Sequence, residues 1–378
     1  MTNILLIGVF EGLFLAMLLF TKKRKTISDK ILSLFFIVFS LNIGLSYIDA
    51  YNRNHGFLYP IFIFTAAPFL LLHGPLLWLY IKSLTDQFFK LKPVYLLNLI
   101  PFAAMVIHHT VAFYILPASE KIQIVQTESF KHDLAYYVFV LAIAVSPVIY
   151  FYFALRSINR YKLKIESYYS QKTGIDLKWL KVIVGSWLFM QLIVNAFFIA
   201  DLFVPVASFG VMQFFSFVTG AIYVVFIGFY GLKQENVFLT HTIQINLEKE
   251  AGNQLKNNYE KPVTAAENEF IKQLLNHMSE HKPYLEPEIT LKILSTQLKV
   301  SAEFLSEIIN TDFNKNFFDF INYYRIEEFK SQIKNEKNKK LTIIGIAYDC
   351  GFNSKATFNR VFKRSTGLTP SEYISTSQ

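Results

Sequence analysis

Seven apolar runs occupy most of the first 232 positions of this 378-residue chain, at about 3–20, 30–48, 58–81, 93–116, 134–155, 179–200 and 208–231. A helix of ~20 apolar residues crosses the ~30 Å hydrocarbon core of a bilayer, and each run reaches that length. Lipid offers nothing to an unpaired peptide group, so runs of this kind span as helices. The reading is a seven-helix transmembrane bundle over 1–232. The first run is not a cleavable leader, because Lys22, Lys23, Arg24 and Lys25 follow its apolar stretch instead of preceding it.

Charge in the connecting loops sets the expected orientation. Loops 21–30, 82–92 and 156–181 carry 5, 3 and 7 Lys+Arg, whereas the N-terminus and loops 49–57, 117–132 and 201–207 carry 0, 1, 2 and 0. Basic loops stay inside, which puts the N-terminus outside and everything from residue 233 in the cytoplasm of a multi-pass inner-membrane protein. Tyr47, Tyr51, Tyr59, Trp78, Tyr80 and Trp179 stand near span ends and suit interfacial belts. Polar side chains are costly within hydrocarbon and mark candidate sensing positions. They are Glu11, Asn42, His73, His108, His109, Gln191, Asn195 and Gln213, with Glu11, His73, His108 and Asn195 the chief candidates for an unknown small-molecule or lipid ligand. Pro68, Pro75, Pro101 and Pro147 free backbone carbonyls within the spans. No H-E-x-x-H or G-x-S-x-G pattern occurs, and seven spans do not divide into the repeated halves of a transporter. An enzyme or a transporter is therefore not expected, nor a cofactor or metal centre. Cys350 is the single cysteine, which rules out an internal disulfide.

The remaining 146 residues have another character, with 19 Lys+Arg against 18 Asp+Glu. Within Leu341 to Tyr373, Ile343, Ile346 and Ala347 give a short helix an apolar face, and small Ala347 lets a second helix cross closely. Gly351 marks a sharp turn, Phe352 returns to the core, and Ser354 is placed to cap the next helix. Phe358, Val361 and Phe362 form that helix's buried stripe. Lys355, Ala356, Asn359, Arg360, Lys363 and Arg364 are left on its outer face, and Gly367 and Pro370 end it. This is a helix-turn-helix plan with a basic second helix over about 342–365. A fainter copy covers about 290–310. Leu291, Leu294 and Leu298 face a core, Ser295 takes the small crossing position, Lys299 stands at the turn, and Ser301 caps a helix buried through Leu305, Ile308 and Ile309. Its outer face carries Glu303, Ser306 and Glu307. A helix of about 317–334 links the two copies.

The segments G-F-x-S (Gly351, Phe352, Ser354), F-x-R-x-F-K (Phe358, Arg360, Phe362, Lys363) and T-G-x-T-P-x-E-Y (Thr366 to Tyr373) resemble the second half of the AraC/XylS-type DNA-binding domain. The run Phe317, Ile321, Asn322, Tyr324 to Glu328 resembles its linking helix. The resemblance covers about 284–375. It implies two helix-turn-helix units on one rigid linker, entering successive major grooves of double-stranded DNA about 34 Å apart. Arg360 then suits a guanine or a phosphate, Lys355 and Asn359 suit base contacts, and Lys363 and Arg364 suit phosphates. Glu303 and Glu307 face phosphate repulsion, although a glutamate can accept from cytosine N4. Between bundle and domain, 233–283 is read as a connector with Gly252 and Pro262 as breakers. It includes an amphipathic helix of about 265–281 with Phe270, Leu274, Leu275 and Met278 on one face, suited to spacing the domain from the membrane or pairing in a homodimer. The expected function is a membrane-embedded transcriptional regulator, with a seven-helix receptor contacting a protein partner as the alternative.

Overall fold

The computed structural model describes residues 3–23, 25–86, 89–170, 178–201, 203–204, 207–233, 264–335 and 340–377, and the described residues are helical apart from turns and loops. The stretch 234–263, with the expected breakers Gly252 and Pro262, lies outside them. The chain divides into two compact units, one of Met1–Tyr161 with Leu177–Glu235 and one of Lys162–Asp176 with Asn236–Gln378.

The first unit contains α1 (Asn3–Thr21), α2 (Ile27–Asn54), α3 (Leu70–Thr85), α4 (Ile100–His109), α5 (Ala118–Gln126), α7 (Lys178–Asp201), α8 (Phe209–Lys233) and most of α6 (Leu134–Tyr168). Among the described residues, six helical segments are long and apolar enough to cross a membrane, and Leu5–Thr21 is a shorter apolar helix. Close backbone approach joins α1 to its neighbours: a Cβ added at Gly8 would lie 2.6 Å from the Ala221 Cβ, and one at Gly12 would collide with the Ser40 hydroxyl. Small residues let apolar helices approach closely.

Two of the expected spans are not single α-helices. The third begins as 3₁₀ turns, Pro60–Phe62 and Ala67–Phe69, before α3. Pro60 and Pro68 donate no backbone hydrogen bond, and two buried asparagines serve the opened chain. Asn42 donates to the Ala66 carbonyl at 2.7 Å, while Asn52 donates to the Tyr59 carbonyl at 2.7 Å and accepts from its amide at 2.8 Å. The fourth runs as 3₁₀ over Pro93–Leu99, then α4, then a π turn over Thr110–Tyr114. The stretch 117–132, expected as a loop, folds into α5 and a 3₁₀ turn. Ile63, Phe64, Phe113 and Val125 build a small core there.

The second unit is built around α9 (Thr264–Glu280), α10 (Leu291–Gln297), α11 (Ala302–Thr311), α12 (Phe317–Gln332), α13 (Ile343–Asp349), α14 (Lys355–Thr366) and α15 (Pro370–Ser377). One core joins Phe270, Leu274 and Met278 of α9 to Leu291, Leu294, Leu305 and Ile308. A second joins Phe318, Ile326 and Phe329 of α12 to Ala347, Phe352, Phe358 and Phe362. The long helix α12 supplies both cores, with Phe317, Phe320 and Ile321 in one and Phe318, Ile326 and Phe329 in the other. The apolar face of α9, read as a spacer or dimer surface, is thus covered within its own unit, and Leu275 falls outside it at 40% exposed.

Candidate nucleic-acid interface

Each helix pair of the second unit is set by its caps and its turn. The hydroxyls of Thr290, Ser301, Thr342 and Ser354 accept from the backbone amides of Ile293, Phe304, Gly345 and Thr357, fixing where α10, α11, α13 and α14 begin. Ser295 and Ala347 are fully buried at the crossings, where a larger side chain would push the helices apart. The turns correspond residue for residue. Lys299 donates to the Thr296 carbonyl and Val300 to that of Ser295, while Gly351 donates to Tyr348 and Phe352 to Ala347. Both turn residues have positive φ, 58° at Lys299 and 89° at Gly351. These are the bonds of a left-handed helix stop that redirects the chain into the next helix.

Burial of Phe358, Val361 and Phe362 then leaves Lys355, Ala356, Asn359, Arg360, Lys363 and Arg364 exposed on α14. On α11, burial of Phe304, Leu305, Ile308 and Ile309 leaves Glu303 and Glu307 exposed and Ser306 half-buried. The six candidate positions of α14 therefore form one polar surface carrying four cationic groups, and α11 presents carboxylates at the corresponding place. Arg364 differs from the other three cations. It pairs with Asp319 near the start of α12, and its guanidinium lies 6.0 Å from the Phe318 ring centre. It links α14 to the linking helix while its side chain stays exposed.

Arg325 is the residue that sequence reasoning undervalued. It is completely buried, with Nε donating to the Tyr284 carbonyl at 2.7 Å and Nη2 to that of Glu286 at 2.8 Å and, more weakly, to that of Pro287 at 3.3 Å. Its guanidinium also lies 5.8 Å from the Phe352 ring centre. Among the described residues no carboxylate hydrogen-bonds to it, and burial, the largest influence, pulls its pKa down to about 9 against the charge of Glu286. It is charged at neutral pH. The hint was positional, since Arg325 falls between Ile321 and Phe329 at steps of four along the buried stripe of α12. A second buried piece comes from far upstream in sequence. Ser170 is 1% exposed, donates to the Ile289 carbonyl at 2.6 Å, and lies 3.4 Å from Arg325 Nη2. Asn322 donates to the Ser170 carbonyl at 3.2 Å. No sequence signal marks that serine.

Residues 294–376 match the family model of a helix-turn-helix domain. No curated protein and no solved structure matches the chain. The matched stretch takes in both turns, the linking helix and the basic face of α14, and it supports a DNA-binding domain of AraC type rather than a catalytic one.

The polar candidates for a sensing site separate in the first unit. The seven amides and imidazoles named from the sequence, His73, His108 and Asn195 among them, all line one cavity of about 370 Å³. Glu11 is not among the lining residues; it lies on α1, with one carboxylate oxygen buried and unpaired. His108 and His109, adjacent in sequence, both line the cavity.

Proposed function

We propose that the chain is a membrane-embedded, one-component transcriptional regulator. The first unit sits in the bilayer as a sensor with its N-terminus outside. The second unit, in the cytoplasm, binds promoter DNA through two helix-turn-helix units, α10–α11 and α13–α14. The carrying observation is the polar surface of α14, set by a capped turn within a matched helix-turn-helix domain. Lys355, Asn359 and Arg360 are assigned to base edges or nearby phosphates, Lys363 to phosphate, and Glu303, Ser306 and Glu307 to the weaker first reader. Residues 289–378 hold 13 Lys+Arg against 9 Asp+Glu, so binding rests on local placement more than on a broad field. Ligand occupancy switches the domain only if the ligand prefers one of two states of the protein.

The test is selection of random duplexes by the full chain in lipid nanodiscs. An enriched sequence whose binding weakens in Arg360→Ala and falls steeply between ~50 and ~200 mM salt supports the reading. The carboxylates of α11 favour a second reading, in which the domain grips a protein partner; no enrichment from a folded preparation would point there. Reporter fusions after Asn54 and after Lys90 should report opposite sides of the membrane, and the same side for both would overturn the span order.

A further inference from the structure

The cavity of the first unit has the chemistry of a ligand site, and that chemistry restricts the ligand. Its walls are mainly aromatic and aliphatic, with Phe39, Met105, Val140 and Phe217 among them. Among the described lining residues there is no lysine or arginine, and the one carboxylate, Asp133, accepts from the Ala135 amide at 3.0 Å. Three polar groups on this lining are buried and have no hydrogen-bond partner: His73 Nε2, His108 Nδ1 and the Tyr136 hydroxyl. His73 is 3% exposed, and its ring is held by stacking on Phe39 at 4.5 Å between centres. A buried polar atom without a partner costs on the order of 1–3 kcal/mol, and three of the side chains that line this space carry one. A cavity of a few hundred Å³ is the usual size of a small-molecule site.

We infer that this cavity binds a neutral, largely hydrocarbon molecule carrying a hydroxyl or amide that can both donate and accept a hydrogen bond. An anionic head would be buried without a cation, and a cationic head would find only Asp133, an exposed carboxylate, and no buried anion among the described lining residues. A pure hydrocarbon would fill the walls and leave the two imidazoles and the phenol unpaired. An imidazole or a phenol can take either hydrogen-bonding role, which suits a head group that offers both. The inference deepens the sensor reading above and rests on it for its biological meaning, but the binding itself is measured without DNA.

The experiment uses the full chain in phosphatidylcholine nanodiscs and a twelve-carbon primary alcohol bearing a mid-chain diazirine, with labelled peptides mapped by mass spectrometry. The expected result is saturable labelling of cavity walls such as Met105 and Met190, competed by plain dodecanol. The matching carboxylate at pH 8 and the trimethylammonium analogue should label at least tenfold less. His73→Leu combined with His108→Leu should cut labelling at least fivefold, and Val140→Trp should block it. Ile143→Trp serves in its place if that variant does not elute as a single folded species. Labelling that never saturates, that falls equally on outward residues such as Phe10 and Phe189, or that is as strong with either charged analogue would overturn the inference. Saturable cavity labelling in a protein that selects no DNA would sustain the inference and defeat the regulator reading. Sequence-selective DNA binding with diffuse labelling would do the reverse.

Discussion

Lys299 and Gly351 stand at the same place in the two helix pairs and adopt similar left-handed conformations, yet their surroundings differ. A Cβ at Gly351 would collide with the Tyr284 carbonyl and lie 2.9 Å from both Arg325 Nε and the Leu285 carbonyl. Lys299 is exposed and bears its Cβ with no more than the ordinary cost of positive φ. The outer faces differ in the same way. The crowded second pair carries the cationic surface, and the looser first pair carries Glu303 and Glu307. The same hydrogen bonds therefore hold both turns, and at Gly351 the surroundings exclude a Cβ as well.

The largest expected effect breaks the crowded member. Gly351→Ala should destabilise the second unit by about 3 kcal/mol, from positive φ and overpacking together, read as faster amide exchange across α12–α14 in the full chain. A loss below ~1 kcal/mol would show that the surrounding carbonyls yield easily. Next comes the contrast in surface chemistry. Arg360→Ala should cost ~1–3 kcal/mol of DNA affinity, whereas Glu307→Gln should strengthen binding by a smaller margin and leave the preferred sequence largely intact. Equal losses from both would mean that the first pair reads bases as strongly as the second. Relief of the looser turn is smaller again. Lys299→Gly should stabilise the unit by ~0.5–1 kcal/mol, because relief of positive φ exceeds the added freedom of the unfolded chain.

The smallest effect concerns how the halves are tied. Glu328 on α12 accepts from Lys282 Nζ at 2.9 Å, the Tyr284 hydroxyl at 3.1 Å and Gln332 Nε2 at 2.8 Å. Burial, the largest influence, opposes its ionisation, but the hydrogen bonds from Gln332, Lys282 and Tyr284, with the charge of Lys282, outweigh it and hold the pKa below the ordinary glutamate value of 4.5. A depressed carboxylate contributes stability that is complete above 4.5 and lost as pH falls through the lower folded value. The second unit should therefore weaken on acidification below that point, and Glu328→Gln should flatten the response. An unchanged acid profile in the variant would assign the loss elsewhere.

Much of this comparison was legible in the residues. Ser301 and Ser354 as caps, Ser295 and Ala347 at the crossings and Gly351 in the turn are local matters of spacing and conformation, and each stands where its chemistry requires. The pairing of Arg364 with Asp319 joins positions that only the folded chain brings together. The coverage of α9 was hidden because an amphipathic face announces that it will be buried but not against what. The interruption of the third apolar run was half visible: Pro68 stood out in the sequence, but Asn42 and Asn52, which satisfy the opened backbone, belong to another helix. In the first unit the polar residues were easy to find by their cost in hydrocarbon, while their convergence on one cavity depends on how the helices assemble.

Ser170 gives the second unit an order of manufacture. The chain presents this serine about 120 residues before Ile289 and more than 150 before Arg325, so during synthesis it waits until α12 has emerged. By then the apolar helices α7 and α8 have already been made. A final fit that requires a piece from upstream of those two helices ties completion of the DNA-binding unit to a chain whose preceding helices have already been made. It also means that a protease cutting anywhere in 234–263 would release a fragment without one of its own parts. The carbonyl of Ile289 and the amide of Asn322 would each lose a partner at the moment of release.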